Sequence, residues 1–243
     1  MIAGSATLSA AQTKNVDRTV PLSPTGSVTL ETHNGSIDVR TWDRPEVEIH
    51  ALIEVAGILA ADRRRFDDTT VVVASTSDSV RITSQYPTFS SWSSWFGSNP
   101  TIRYTITAPK TARWTIYDHN AQAEVHDLRA ALTVETHNGS VHATGLGGPL
   151  RVNAHNGSVT ADFDSFMGAD VTTHNGSVDF VLPSTTAFNL HADTHRARIH
   201  SDFPITVHSF GRRQENVDAA VGNGGPSLRF QSHLGQLILS SKR

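Results

Sequence analysis

This sequence predicts an all-β fold: a single right-handed parallel β-solenoid (parallel β-helix) with about 18–21 residues per coil and an irregular β-rich N-terminal part. Three observations carry that expectation. The string Thr-His-Asn-Gly-Ser fills residues 32–36, 136–140 and 173–177, with an Ala-first variant at 154–158, and the steps from His137 to His155 to His174 are 18 and 19 residues. Degenerate copies at 118–122, 194–198 and 232–236 lose the Asn or the Gly yet keep the His. Around each copy, apolar and polar residues alternate with the period of two that marks a half-buried strand.

Taken in order, residues 1–20 read as a polar, flexible lead-in. Within it, residues 3–11 have the small-residue character of the end of a secretory signal whose charged and apolar parts are missing, which predicts an exported mature form in the periplasm or at the cell surface. The remainder, 21–243, is expected to be one domain. Residues 28–32 and 37–40 flank Asn34-Gly35 as the first coil. Between Pro45 and Pro109 the repeat is interrupted by strand-like runs at 47–53, 71–73 and 80–82 and by a charged stretch at 60–68 that suits one or two helical turns. Alternation returns at 102–106, and from Trp114 to Leu239 the coils run almost without a break.

Phase sorts the side chains. In residues 132–143, Leu132, Val134, Thr136, Val141 and Ala143 fall inside, and Glu135, His137 and His142 outside. Repeating that phase predicts an inner-corner ladder of Asn34, Asn120, Asn138, Asn156 and Asn175, whose amides satisfy one another. It also predicts an outward file of His33, His119, His137, His155, His174, His195 and His233. A competing geometry makes each Asn-Gly a type I′ hairpin turn. Against it, Arg196-Ala197 and Asn120-Ala121 are poor residues for consecutive positive φ angles, and the length variation falls at the opposite turn, in 164–168 and 183–187.

Composition sets further limits. Hydrophobic residues make up 37% and charged residues 18% of the chain, the net charge is −3 and the pI is near 6.5, so there is no basic footprint for nucleic acid. The absence of cysteine removes disulfides and thiol chemistry. No apolar run has the length of a transmembrane segment.

In its order of short motifs the chain resembles the bacterial putative-adhesin domains of unknown function, whose hallmark is a recurring Thr-x-Asn-Gly-x-Val/Ile coil. The matching residues are 37–47, the strand 102–109, the coils from Glu135 to Phe180 and the closing 222–239, so the resemblance runs from about residue 20 to the end. It implies a β-solenoid of the cell envelope with adhesive or structural use and no established catalytic residues. The histidine in the variable position of every copy is this chain's departure from the pattern.

The histidine file is the sharpest candidate site. Coils stack about 4.8 Å apart, a spacing at which adjacent imidazoles stack on one another or share a divalent transition metal; the alternative to metal binding is a flat, half-polar ladder that merely covers the coil edge. Protonating neighbours at that distance is unfavourable, so the file is expected to titrate as a coupled, pH-responsive set with some members below about 6.5. A Ser-rich loop holding Phe89, Trp92, Trp95 and Phe96 is read either as a contact for a cell-surface protein or glycan or as a cap over one end of the coils. Open coil ends also allow self-association. Enzyme chemistry has thin support: Asp162, Asp164, Asp179, Arg198 and His200 could line one face as in polysaccharide-active solenoids, but there is no nucleophile elbow, phosphate loop or catalytic pair. The Asn-Gly-Ser sequons fall on the ladder, His191 and His195 merely share a strand face, and Arg63-Arg64-Arg65 reads as a solvated helix face.

Overall fold

Short alternating runs rich in Val, Thr, Ile and Ala, each closed by a turn, give twenty strands and one helix in the computed structural model, which describes residues 12–56, 60–87, 99–195, 198–205 and 215–242. The N-terminal part comprises β1 (Gln12–Pro21), β2 (Ser27–Glu31), β3 (Asn34–Trp42), β4 (Glu46–Val55), α1 (Ala60–Asp68), β5 (Thr70–Ser75), β6 (Ser79–Gln85) and β7 (Thr101–Pro109). The coils follow as β8 (Arg113–Tyr117), β9 (Asn120–His126), β10 (Leu132–Thr136), β11 (Ser140–Leu146), β12 (Leu150–Asn156), β13 (Val159–Phe163), β14 (Ala169–Asn175) and β15 (Val178–Pro183). The last strands are β16 (Phe188–Thr194), β17 (Arg198–Ser201), β18 (Glu215–Val221), β19 (Ser227–Leu234) and β20 (Gln236–Lys242).

These strands form two large, mostly parallel sheets of ten strands each, neither closed, packed as a sandwich over one hydrophobic core. One runs β1-β4-β7-β3-β9-β11-β13-β15-β20-β17 and the other β18-β16-β19-β14-β12-β10-β8-β2-β6-β5. From β7 to β17 the chain changes sheet at every turn. The strands on either side of Asn138-Gly139, Asn156-Gly157 and Asn175-Gly176 therefore lie in different sheets, as do β2 and β3 around Asn34-Gly35, and the hairpin alternative is excluded at those turns. Each coil instead pairs in parallel with its neighbours: Val134 stands opposite Ile116 on one side and Val152 on the other.

Parallel register explains the recurrent glycine. A Cβ on Gly139 would sit 2.2 Å from the Ala121 carbonyl oxygen, on Gly157 1.8 Å from that of Gly139, and on Gly176 1.9 Å from that of Gly157. Close coil-to-coil approach at the corner is what demands glycine there. Inside, the Val and Ile rows give way to an edge-to-face aromatic chain in which Phe163 meets Phe166 and Phe180 at 5.3 Å, and Phe188 meets Phe166 at 5.8 Å and Phe203 at 5.5 Å.

Three sequence expectations need correction. Residues 12–20, assigned to the flexible lead-in, form β1 together with Pro21 and pair antiparallel with β4, from Gln12↔Val55 to Pro21↔Glu46; Val16 and Val20 pack against the core. The coils do not follow chain order, because β19 and β20 insert between the β14–β15 coil and the β16–β17 coil. That position gives Phe230 parallel partners in Val171 and Ala192 and removes Phe230, Leu237 and Leu239 from solvent. Of the three arginines on α1, only Arg63 and Arg64 are solvated; Arg65 is buried, as is Asp62.

The histidine corner as candidate functional site

In two adjacent coils the turn from one sheet to the other is pinned by the residue before the histidine, Asp118 and Thr136. The Thr136 hydroxyl accepts the Gly139 N–H at 2.9 Å and donates to Asp118 Oδ1 at 3.0 Å, and Asp118 Oδ1 accepts the Ala121 N–H at 2.8 Å. The coils are then tied at the corner itself. Asn120 N donates to the His33 carbonyl at 2.8 Å, Asn138 N to that of His119 at 2.7 Å and Asn156 N to that of His137 at 2.7 Å. With the backbones of His33, His119 and His137 fixed to the next coil, their side chains leave in the same direction.

The structure brings all seven histidines into one stack. From His33 the rings follow as His119, His137, His155, His174, His233 and His195, with centroid steps of 4.7, 4.8, 4.7, 4.9, 4.9 and 4.8 Å and interplanar angles of 1–3°. His233 precedes His195 because its coil is the inserted one. At the other end Tyr86 meets His33 edge-on at 6.0 Å. Ring faces cover one another, and the ring edges face outward.

Beside the stack, the five asparagines form a hydrogen-bonded ladder. Asn120, Asn138, Asn156 and Asn175 each donate Nδ2 to the Oδ1 of the preceding member at 2.8–2.9 Å, ending on Asn34. Their expected inward orientation is corrected: these side chains are half-buried or exposed, and the inside of the corner is taken by Thr136, Thr173, Ser232 and Gly139. The ladder stops at Asn175, whose partner in the next coil is Leu234, whereas the histidines continue for two more coils. With each Nδ2 of the four donors engaged, the sequon asparagines Asn138, Asn156 and Asn175 are committed to the fold.

A groove of about 760 Å³ runs along the stack from Tyr117 and Asp118 to Asp193 and His195, floored by Thr136, Ala154, Thr173 and Ser232. Past Tyr117 and Asp118 it continues into a second groove of about 880 Å³ that reaches Glu31, Arg81 and Tyr86. Glu31 and Arg81 form an ion pair there. Burial, then the charge of His119, holds the His33 imidazole below the ordinary histidine range, against a raising pull from Asp118. Burial pushes the Asp118 carboxyl up, opposed by its hydrogen bonds from Ala121 and Thr136; its Oδ2 is buried without a hydrogen-bond partner.

Among the described residues, no group of three or more His, Asp or Glu is placed to hold a metal ion. In-plane nitrogen lone pairs of parallel rings run parallel and do not converge on one ion, so a shared metal would require the rings to rotate out of the stack. Of the carboxylates considered for catalysis, Asp162 and Asp164 accept from Lys242 Nζ at 2.8 and 3.2 Å, and Asp164 also pairs with Arg129 at 2.9 Å. These two cations hold the Asp164 carboxyl below its usual range. Phe89, Trp92, Trp95 and Phe96 lie outside the described residues. Tyr117 and Asp118 were missed by sequence reasoning; comparing the position two residues before each histidine would have found Tyr117, which stands where Glu135 stands in the next coil.

No family model matches the chain, and no curated protein matches it. Among solved structures, a putative cell adhesion protein from Clostridium sporogenes ATCC 15579 is similar over 94% of this chain and 100% of its own, with 11% identity and a TM-score of 0.45. A putative adhesin from Bacteroides fragilis NCTC 9343 is similar over 93% of this chain and 97% of its own, with 11% identity and a TM-score of 0.43. Likenesses this distant carry no weight for function.

Proposed function

We propose that the chain is an exported, non-catalytic structural or adhesin-like module, wound as a single right-handed parallel β-solenoid, that acts through surface contacts along its histidine corner. The carrying observation is the unbroken seven-ring stack beside a groove that crosses the coils. Right-handedness is supported by the strong preference of parallel crossovers for that hand. Export is supported by the small-residue lead-in at residues 3–11. No helix among the described residues is long and apolar enough to cross a membrane. The test is binding of fluorescent protein to cell surfaces, comparing the native chain with a variant carrying His137→Gln, His155→Gln and His174→Gln. The proposal expects saturable binding that the variant loses in large part; no binding, or equal binding by both, contradicts it.

A second reading is favoured by the same stack: the corner responds to protons. Adjacent imidazolium rings at 4.7–4.9 Å repel by about 1 kcal/mol even in water, so acid loads the file with unfavourable charge.

A further inference from the structure

We propose that the groove beside the histidine stack binds a neutral, linear polysaccharide chain lying across the coils, with Tyr117 as its stacking platform. The assignment rests on the corner being the contact surface and names the ligand that surface takes.

Shape comes first. The two grooves join at Tyr117 and Asp118 and are open along their length, so they suit a polymer passing through better than a small molecule held on all sides. Tyr117 sits at that junction with its side chain 40% exposed, one of four exposed large hydrophobic residues among the described residues. An exposed aromatic face is what the axial C–H groups of a pyranose ring stack on.

Chemistry comes next. Parallel register places one side chain per coil along the groove in a single row, from Tyr117 through Glu135, Asn153 and Thr172 to Gln231 and Asp193. Carboxylates and primary amides are planar groups with two polar atoms, able to engage neighbouring hydroxyls in pairs. The opposite wall is a row of imidazole edges, each neutral ring offering one donor and one acceptor. With Glu135 and Asp193 in the row and a net charge of −3, an anionic polymer or nucleic acid is disfavoured.

Repeat length separates the remaining candidates. Successive rings recur every 4.7–4.9 Å, close to the length of one pyranose unit in an extended chain. A peptide strand advances about 3.3 Å per residue, hence about 6.6 Å between residues on one face, and falls out of step with the coils within two or three repeats. In a twofold linear glycan such as a cello- or chito-oligosaccharide, successive units alternate in orientation, so an equivalent set of hydroxyls meets every second coil in turn.

Calorimetric titration with cello- and chito-oligosaccharides of two to six units tests the assignment. Affinity should rise with each added unit in at least one series. Tyr117→Ala should weaken binding of the hexamer about tenfold, while Tyr117→Phe keeps it and both variants unfold at the native temperature. Failure of both hexamers to bind, affinity independent of length, or indifference to Tyr117→Ala would overturn it. The parent reading is separated by treating the target cells: binding that survives periodate oxidation of surface sugars but not protease gives the corner to a protein and overturns the glycan assignment alone. Absence of any cell binding overturns both.

Discussion

The coils from β8 to β15 and the N-terminal flank built from β1, β4, β5, β6 and α1 solve the same burial problem in different ways. In the coils, parallel pairing at nearly constant register stacks like on like, so His, Asn and Gly become rows whose members depend on their neighbours. In the flank, antiparallel pairs set unlike residues opposite one another, and polar groups are satisfied singly: His50 binds Asp17 at 2.7 Å and Glu48 at 3.2 Å. Repetition therefore creates collective surfaces, and the flank supplies local ones. The contrast also appears in two histidines. His33, at the end of the stack, is held below its ordinary range by burial and by His119, whereas His50 is raised by its hydrogen bonds to Asp17 and Glu48.

The sharpest way to break this contrast is through glycine. In Gly157→Ala the new Cβ meets a backbone carbonyl at 1.8 Å, while in Gly26→Ala, just before β2, it meets the buried Leu22 side chain, Cδ1 at 2.4 Å, and the nearest backbone atom, the Asp78 carbonyl oxygen, is 3.0 Å away. Chemical denaturation should show a loss of about 3 kcal/mol for the first and about 1 kcal/mol for the second; equal losses would deny the corner its special closeness. Next in size is the ladder. Asn156→Ala removes one donated and one accepted amide hydrogen bond and should cost about 1 kcal/mol by the same measurement. The exposed Asn15→Ala on β1 should stay within about 0.5 kcal/mol.

Smaller effects come from protons, with opposite signs in the two regions. Because the folded His33 binds a proton less readily than the unfolded chain, its contribution is intact above about pH 6.5 and is lost as pH falls from there through its depressed folded value. His50, raised, contributes below about pH 6.5 and loses that contribution as pH rises through its folded value. His33→Gln should thus flatten the stability profile on the acid side, and His50→Gln should remove stability at acid pH while leaving the alkaline arm unchanged. The smallest expected effect is metal. Parallel lone pairs in the stack predict no stabilising shift in the unfolding temperature of chelator-treated protein on adding Zn²⁺, Ni²⁺ or Cu²⁺; a shift present in the native chain and missing in the His137/His155/His174 variant would show that the rings rotate to share an ion.

The legible parts of the molecule are those governed by local period. Strand phase followed from alternation, and the membership of the histidine file followed from one residue recurring at the same place in seven turns. What escaped depends on non-local choice. Nothing in the alternation of Ser227–Leu234 distinguishes it from other strands, so its insertion between β14 and β16 was not readable. The asparagines were assigned inward by extending strand phase through a turn, where the change of sheet breaks the period and Thr136 and Gly139 occupy the inside. Arg65 looked like a surface charge because a run of three arginines conceals that one of them lies on the buried side of α1.

The most direct test of the corner as a collective unit is the drop in unfolding temperature between about pH 7.5 and about pH 5, across the ordinary histidine range, in the native chain and in the variant with His137, His155 and His174 changed to Gln. A stack whose rings repel once charged predicts a clearly larger drop in the native chain. Equal drops in the two proteins would mean that the rings lie side by side without acting together, and would contradict the account.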